Sequence, residues 1–111
     1  MSKKKRTIFV GIDGASYSLL RELAQTGVMP HLNTLIEEGV LSRMLAPLPD
    51  NSAVSWSSIM TGKNPGEHGI FGFTDLIPNT YTLRFPNFLS MQSSTFWQVE
   101  SEKKYVIINL P

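Results

Sequence analysis

Thr7-Ile8-Phe9-Val10-Gly11-Ile12-Asp13-Gly14 is an apolar, β-branched run that ends in a carboxylate and a glycine. Residues 7–12 read as a buried strand, because a continuous apolar run suits a strand covered on both faces. Gly14 permits a sharp exit from it. Ser16 can then cap a helix that carries Leu19, Leu20, Leu23 and Ala24 on one face, with Gly27 as its stop. Pro30 suits the first turn of a second helix, whose apolar face is Leu32, Leu35 and Ile36 and which Gly39 ends.

The alternation continues downstream. Residues 40–46 look like a second strand, broken by Pro47 and Pro49, and Asp50-Asn51 is turn chemistry. Ser52 starts a short helix through about Met60. Residues 62–80 are rich in glycine and proline and read as loop, and residues 81–85 suit a short strand. Thr95 with Gln98 fits a capping box for a helix through about Lys104, whose basic last turn complements the helix dipole. Residues 105–110 form another buried strand. Strands alternating with helices imply an α/β fold, a mostly parallel sheet with helices on both faces. In such sheets ligands bind beyond the carboxyl ends of the strands. Asp13 and the loop leading to Ser52 both fall at such ends.

The chain has 111 residues, 41% hydrophobic and 17% charged, which is the composition of a folded body with one core. Residues 1–6 form a basic tail and residues 7–111 read as part of a single α/β domain. The net charge of +1 gives no global field for nucleic acid, so no nucleic-acid polymer is expected as partner. Lys3-Lys4-Lys5-Arg6, directly before a strand, reads as a solvated tail, with a nucleic-acid or membrane contact as the other reading. The absence of cysteine excludes disulfides and thiolate metal sites. The apolar run 8–10 is too short for a signal-peptide core or a membrane span, so no membrane is expected and a cytoplasmic location follows. The chain stops at Leu110-Pro111, at the carboxyl end of an expected strand, and reads as the N-terminal portion of a longer protein. Its core is then incomplete.

Two residues carry chemistry. Ser52 sits where a helix N-terminus offers the amides of Ala53 and Val54 to an anion. A serine hydroxyl is a poor nucleophile until a base or metal lowers its pKa, and no neighbouring histidine stands ready as base. A metal is therefore the favoured activator, while the structural alternative is that Ser52 is only an N-cap. Asp13 is either a strand-end carboxylate for a divalent metal or an Asx-turn residue before Gly14. His68 reads as a loop-fixing hydrogen-bond donor, with a metal ligand as the other reading. Trp56, Ile59 and Met60 are expected in the core, and Phe71 and Phe73 are expected to pack the loop down. Gly11-Ile12-Asp13-Gly14 does not have the spacing of a dinucleotide fingerprint.

Asp13-Gly14 after the first strand, followed by Ser52 and the string Trp56-Ser57-Ser58-Ile59-Met60-Thr61-Gly62-Lys63-Asn64-Pro65-Gly66-Glu67-His68-Gly69-Ile70, resembles the type I phosphodiesterase/nucleotide pyrophosphatase family of the alkaline phosphatase superfamily. The resemblance implies an alkaline-phosphatase-like core and a phosphoric ester hydrolase with two divalent metal ions, zinc in this family. It implies Asp13 as a metal ligand. Counting back from Thr61-Gly62, it implies Ser52 as the nucleophile and a metal ligand, passing through a phosphoserine, with the Ala53 amide holding phosphoryl oxygens. The substrate would be a small phosphorylated compound. Phe73 stands where the nucleotide pyrophosphatase branch has a phosphate-holding Asn. A two-zinc site needs about six protein ligands, and this chain has two histidines. The other ligands are expected beyond residue 111, and these residues alone are expected to be inactive. The rival readings are a phosphomutase of the same superfamily and a non-catalytic module that binds an anion or a partner.

Overall fold

The computed structural model describes residues 6–99 and 104–108. Of the basic tail, only Arg6 lies among them. The chain divides into two packed units, one ending at Met44 and one beginning at Leu45.

The first unit is built on two helices. Helix α1 spans Tyr17–Gln25, and the Ser16 hydroxyl caps it by accepting the Leu19 N–H at 3.3 Å. This satisfies one of the amides that a helix start leaves without an intrahelical acceptor. Helix α2 spans Pro30–Glu38, with proline in its first turn and Gly39 at its end. The Met29 N–H donates to the Leu23 carbonyl at 3.0 Å and fixes the connection between the helices. The two helices pack on each other, with Ala24 buried. The Arg43 guanidinium lies 4.9 Å from the centre of the Tyr17 ring, within cation–π range. The bounds and caps of both helices match the sequence reading, but Leu19 and Leu35 of the expected apolar faces are exposed.

The second unit holds more elements. Helix α3 spans Ser52–Thr61 and the single-turn helix α4 spans Pro65–His68. A short antiparallel hairpin follows: β1 (Asp75–Leu76) pairs with β2 (Leu83–Arg84) in the register Asp75↔Arg84, Leu76↔Leu83. The Ile77 N–H closes the turn on the Thr82 carbonyl at 2.9 Å, and the Arg84 guanidinium donates to Asp75 Oδ2 at 2.7 Å. That ion pair, with the Leu76 N–H, holds the Asp75 carboxyl below its usual range. A 3-10 turn at Phe88–Ser90 and helix α5 (Phe96–Val99) complete the unit. Its buried residues are Val54, Ser57, Pro65, His68, Ile70 and Thr95.

The expected mostly parallel sheet is not present among the described residues. Residues 7–12, 40–46 and 104–108 have no regular secondary structure. Most of their apolar side chains are exposed, with Ile8 at 86%, Val40 at 89% and Val106 at 87%, while Leu41 is half-buried and the Tyr105 ring meets that of Phe96 edge-to-face at 5.9 Å. The only pairing among the described residues is the antiparallel β1–β2 ladder, which captures part of the strand expected at 81–85. The physical reason is that a strand's backbone groups need a second segment, and these runs have no strand paired alongside them. The α/β class holds only in the coarser sense of helices with a small sheet. The expected strand at 105–110 lies partly outside the described residues, as does the expected helix end between Val99 and Lys104. Only half of the expected capping box forms at Thr95: its N–H donates to Gln98 Oε1 at 2.8 Å, but its hydroxyl donates to that same oxygen at 2.9 Å. Among the described residues no helix is long and apolar enough to cross a membrane.

Candidate active site

The start of α3 is organised by Asn51, not by Ser52. Asn51 has extended backbone, and its Oδ1 accepts the Val54 N–H at 3.1 Å. Its carbonyl accepts the Ser55 N–H at 3.0 Å, and its Nδ2 reaches the Phe71 carbonyl at 3.5 Å. The reading of Ser52 as an N-cap is therefore corrected: Ser52 is the first residue of the helix proper. Asparagine caps as well as serine does, so either residue satisfied the sequence signal. With Val54 served by Asn51, the N–H of Ala53, a half-buried residue, has no intrahelical acceptor in the first turn, at the positive end of the helix dipole.

The rest of α3 is held by its own hydroxyls. Ser57 Oγ donates to the Ala53 carbonyl and Thr61 Oγ1 to the Ser57 carbonyl, both at 2.7 Å. Each bonds back one turn, as mid-helix serine and threonine do. Val54 and Ser57 are buried, whereas Trp56 and Met60 are half-buried and Ile59 is exposed. The core face of α3 is thus rotated from the expected Trp56–Ile59–Met60 stripe. Phe71 and Phe73 are also exposed and do not pack the loop down.

The string that follows α3 is a folding device. Gly62 ends the helix in the left-handed region, with φ 66°, and its N–H donates to the Ser58 carbonyl at 2.8 Å. The Lys63 N–H then donates to the Thr61 hydroxyl at 3.2 Å. Asn64 and Glu67 form a reciprocal capping box around α4, with Pro65 in its first turn. Glu67 accepts from the Lys63 ammonium at 3.1 Å and from the Asn64 N–H, and both interactions pull its pKa down. Gly69, φ 75°, reverses the chain. The Gln92 N–H donates to the His68 carbonyl and the Ser93 hydroxyl to the Glu67 carbonyl, both at 2.9 Å, so residues 92–93 close over α4.

His68 is fully buried. Its Nδ1 accepts the Ile70 N–H at 3.1 Å, and its Nε2 lies 3.0 Å from Ser58 Oγ. A nitrogen that accepts from an amide carries a lone pair, so the neutral ring bears its proton on Nε2 and donates it to Ser58. The Ser58–His68 pair has the distance of a nucleophile–base dyad but the wrong tautomer for one. Burial lowers the His68 pKa below its ordinary 6.5, against the opposing pull of Glu67. The expected loop-fixing role is found, with the ring accepting as well as donating.

Asp13 belongs to the first unit. It is exposed in the turn that leads from residues 7–12 into α1, followed by Gly14 at φ 71°. Among the described residues there is no group of three or more His, Cys, Asp or Glu side chains placed to hold a metal ion. Ser52 and Ala53 share the first turn of α3; Asn51, Ser58 and Ile70 are the partners that sequence reading missed. For Asn51 a signal existed, an Asx residue directly before a helix. The other two depend on how the chain folds back from α4.

A family model for Type I phosphodiesterase / nucleotide pyrophosphatase matches residues 7–108. The match spans nearly the whole sequence, and the chain belongs to this family of phosphodiesterase- and pyrophosphatase-type hydrolases. Membership implies an alkaline-phosphatase-like fold and a phosphoric ester as the bond broken. No curated protein and no solved structure matched the chain.

Proposed function

We propose that the chain carries the nucleophile side of a phosphoester hydrolase site, with Ser52 as the attacking residue. The observation that supports this reading is the first turn of α3. Asn51 takes over the capping role, Ser52 begins the helix, and the Ala53 N–H is left for an anion. In this reading a phosphoryl oxygen of a small phosphorylated substrate accepts from Ala53. The Ser52 hydroxyl gives up its proton to water as its oxygen bonds to phosphorus, and the departing ester oxygen takes a proton from water. A second water then attacks phosphorus, restores the Ser52 hydroxyl and releases phosphate from a monoester substrate or a phosphomonoester from a diester.

Metal dependence belongs to the same proposal. Asp13 and Ser52 are assigned as oxygen donors toward two divalent ions, zinc in the first instance. The remaining ligands must come from outside the described residues. The protein would act in the cytoplasm.

The test is turnover of an aryl phosphodiester and an aryl phosphomonoester by the protein with added zinc. Ser52→Ala should lower kcat by about a thousandfold or more, as nucleophile removal does in other hydrolases. Ser52→Thr, which keeps a hydroxyl, should retain measurable turnover. Quenching the native enzyme in mid-reaction should leave phosphate on the peptide that contains Ser52. Unchanged turnover in Ser52→Ala would refute the assignment.

A further inference from the structure

His68 is the largest fully buried side chain among the described residues, and the only ionisable one in their buried set. Both ring nitrogens are engaged, and they face different elements. Nε2 reaches Ser58 in the middle of α3, and Nδ1 takes the N–H of Ile70, just past the left-handed turn at Gly69. The backbone carbonyl of the same residue accepts from Gln92. One residue therefore ties α3, the end of α4 and the 91–93 stretch together. α3 carries no titratable side chain at all.

We propose that His68 is a positioning residue for α3: its neutral ring, donating from Nε2 and accepting at Nδ1, sets the helix that begins at Ser52, and protonating the ring releases it. The catalytic meaning of this inference rests on the reading of Ser52 as nucleophile, but the structural claim does not. An imidazolium has a hydrogen on both nitrogens. Its Nδ1–H would then point at the Ile70 N–H, donor against donor, inside the core. Relief requires α4 and Ile70 to move away from α3, and Ser58 is bonded to the same ring.

The surrounding charges do not favour protonation enough to hold it at neutral pH. α3 and the 88–95 stretch contain no ionisable group. The nearest carboxylate is Glu67 on α4, which is itself paired with Lys63 at 3.1 Å. Asp75, further along, is paired with Arg84. Glu67 pulls the His68 pKa upward, but burial outweighs it and the ring titrates below 6.5. The sign follows. The unfolded chain binds the proton first as pH falls, so the contribution of His68 is complete above about pH 6.5 and is lost as pH drops through its lower folded value.

The experiment uses nitrogen-15 spectra of the His68 ring in the protein, with amide hydrogen exchange at Ile70 and along α3. At neutral pH the ring should be neutral with its proton on Nε2. On acidification, exchange in α3 should accelerate beyond the intrinsic pH dependence, in step with titration of the ring. His68→Gln keeps a donor near the Nε2 position but loses the acceptor for Ile70, so Ile70 exchange should quicken by about tenfold, one net hydrogen bond. His68→Asn keeps an acceptor near Nδ1 and should restore much of that protection. In both variants the acid-dependent release of α3 should vanish. Ser58→Ala, the mildest change, should speed exchange in α3 while leaving Ile70 protected.

In turnover assays Ser58→Ala should reduce kcat more than it changes KM. A ring protonated on Nδ1 at neutral pH, or release of α3 that does not follow the ring titration, overturns the proposal. Turnover that survives Ser52→Ala overturns the nucleophile assignment instead and leaves the ring spectra unaffected, so the two failures are distinguishable.

Discussion

Residues 51–70 and the apolar runs at 7–12, 40–46 and 104–108 are about equally suggestive as sequence, yet they differ sharply in the folded chain. The first stretch is knit almost residue by residue. Asn51 caps α3, Thr61 and Gly62 finish it, Asn64 and Glu67 box α4, and His68 is bonded through its backbone carbonyl and both ring nitrogens. The runs have no ladder, and most of their apolar side chains are exposed. The difference lies in where each element finds its hydrogen bonds. A helix closes its ring of bonds within four residues, and a capping side chain lies one turn away. A strand has nothing until another segment is brought alongside.

The hairpin supports the same argument from the other direction. β1 and β2 are the only paired strands among the described residues, and they are joined by the short connection 77–82. Bringing such close neighbours together costs little loop entropy. A parallel pair needs a crossover of a dozen residues or more. The pairing that formed is thus the one with the shortest reach.

The largest effect that tests this contrast is expected at Val54. Its side chain is 0% exposed on the inner face of α3. Val54→Ala removes two buried methyl groups from a small core and should cost about 2 kcal/mol. The measurement is urea unfolding followed by tryptophan fluorescence, with Trp56 and Trp97 both in the same unit as the substitution. A loss below about 0.5 kcal/mol would mean that the 51–70 stretch is held by its hydrogen bonds alone.

How much of this could be read in advance follows the same division. The α1 and α2 boundaries were legible at Ser16, Pro30 and Gly39 because capping chemistry is local. The family was legible in Thr61 through Ile70 because that string is a chain of local constraints, each glycine and asparagine tied to one turn. Asn51 against Ser52 was ambiguous by one position, since both residue types cap and only the Val54 bond decides between them. The core face of α3 was misjudged for a different reason. Trp56, Ile59 and Met60 are the bulkier residues, but Val54 and Ser57 are the ones that are buried. The strands were the least legible feature. Their composition records a preference for burial and not the partner that would provide it. The pairing of His68 with Ser58 was hidden because it depends on the chain turning back at Gly62 and again at Gly69.

The next largest effect belongs to Asn51. Asn51→Ala removes the acceptor for the Val54 N–H and should cost about 1 kcal/mol, the usual worth of an N-cap. Asn51→Asp retains the acceptor and adds a negative charge at the positive end of the dipole, so it should stay within about 0.5 kcal/mol of native. It also loses the Nδ2 donor to the Phe71 carbonyl. Comparing the two variants therefore separates the cap from the link to Phe71, again by urea titration. If Asn51→Asp costs as much as Asn51→Ala, the 3.5 Å link to Phe71 matters more than the cap.

The smallest effects, and the most direct reading of the contrast, are expected in the apolar runs. Ile8→Ser and Val106→Ser exchange large apolar side chains for a small polar one at positions 86% and 87% exposed. At an exposed site nothing is unpacked and no cavity is left, so each should shift unfolding by no more than about 0.5 kcal/mol. The same changes in a strand covered on both faces would lose the full burial of the side chain, about 2 kcal/mol or more. Unfolding free energies for these two variants, set beside that of Val54→Ala, measure how far composition and packing diverge in this chain. A cost near that of Val54→Ala at either position would show that the run is packed in solution, and the distinction between self-sufficient helices and dependent strands would fail there.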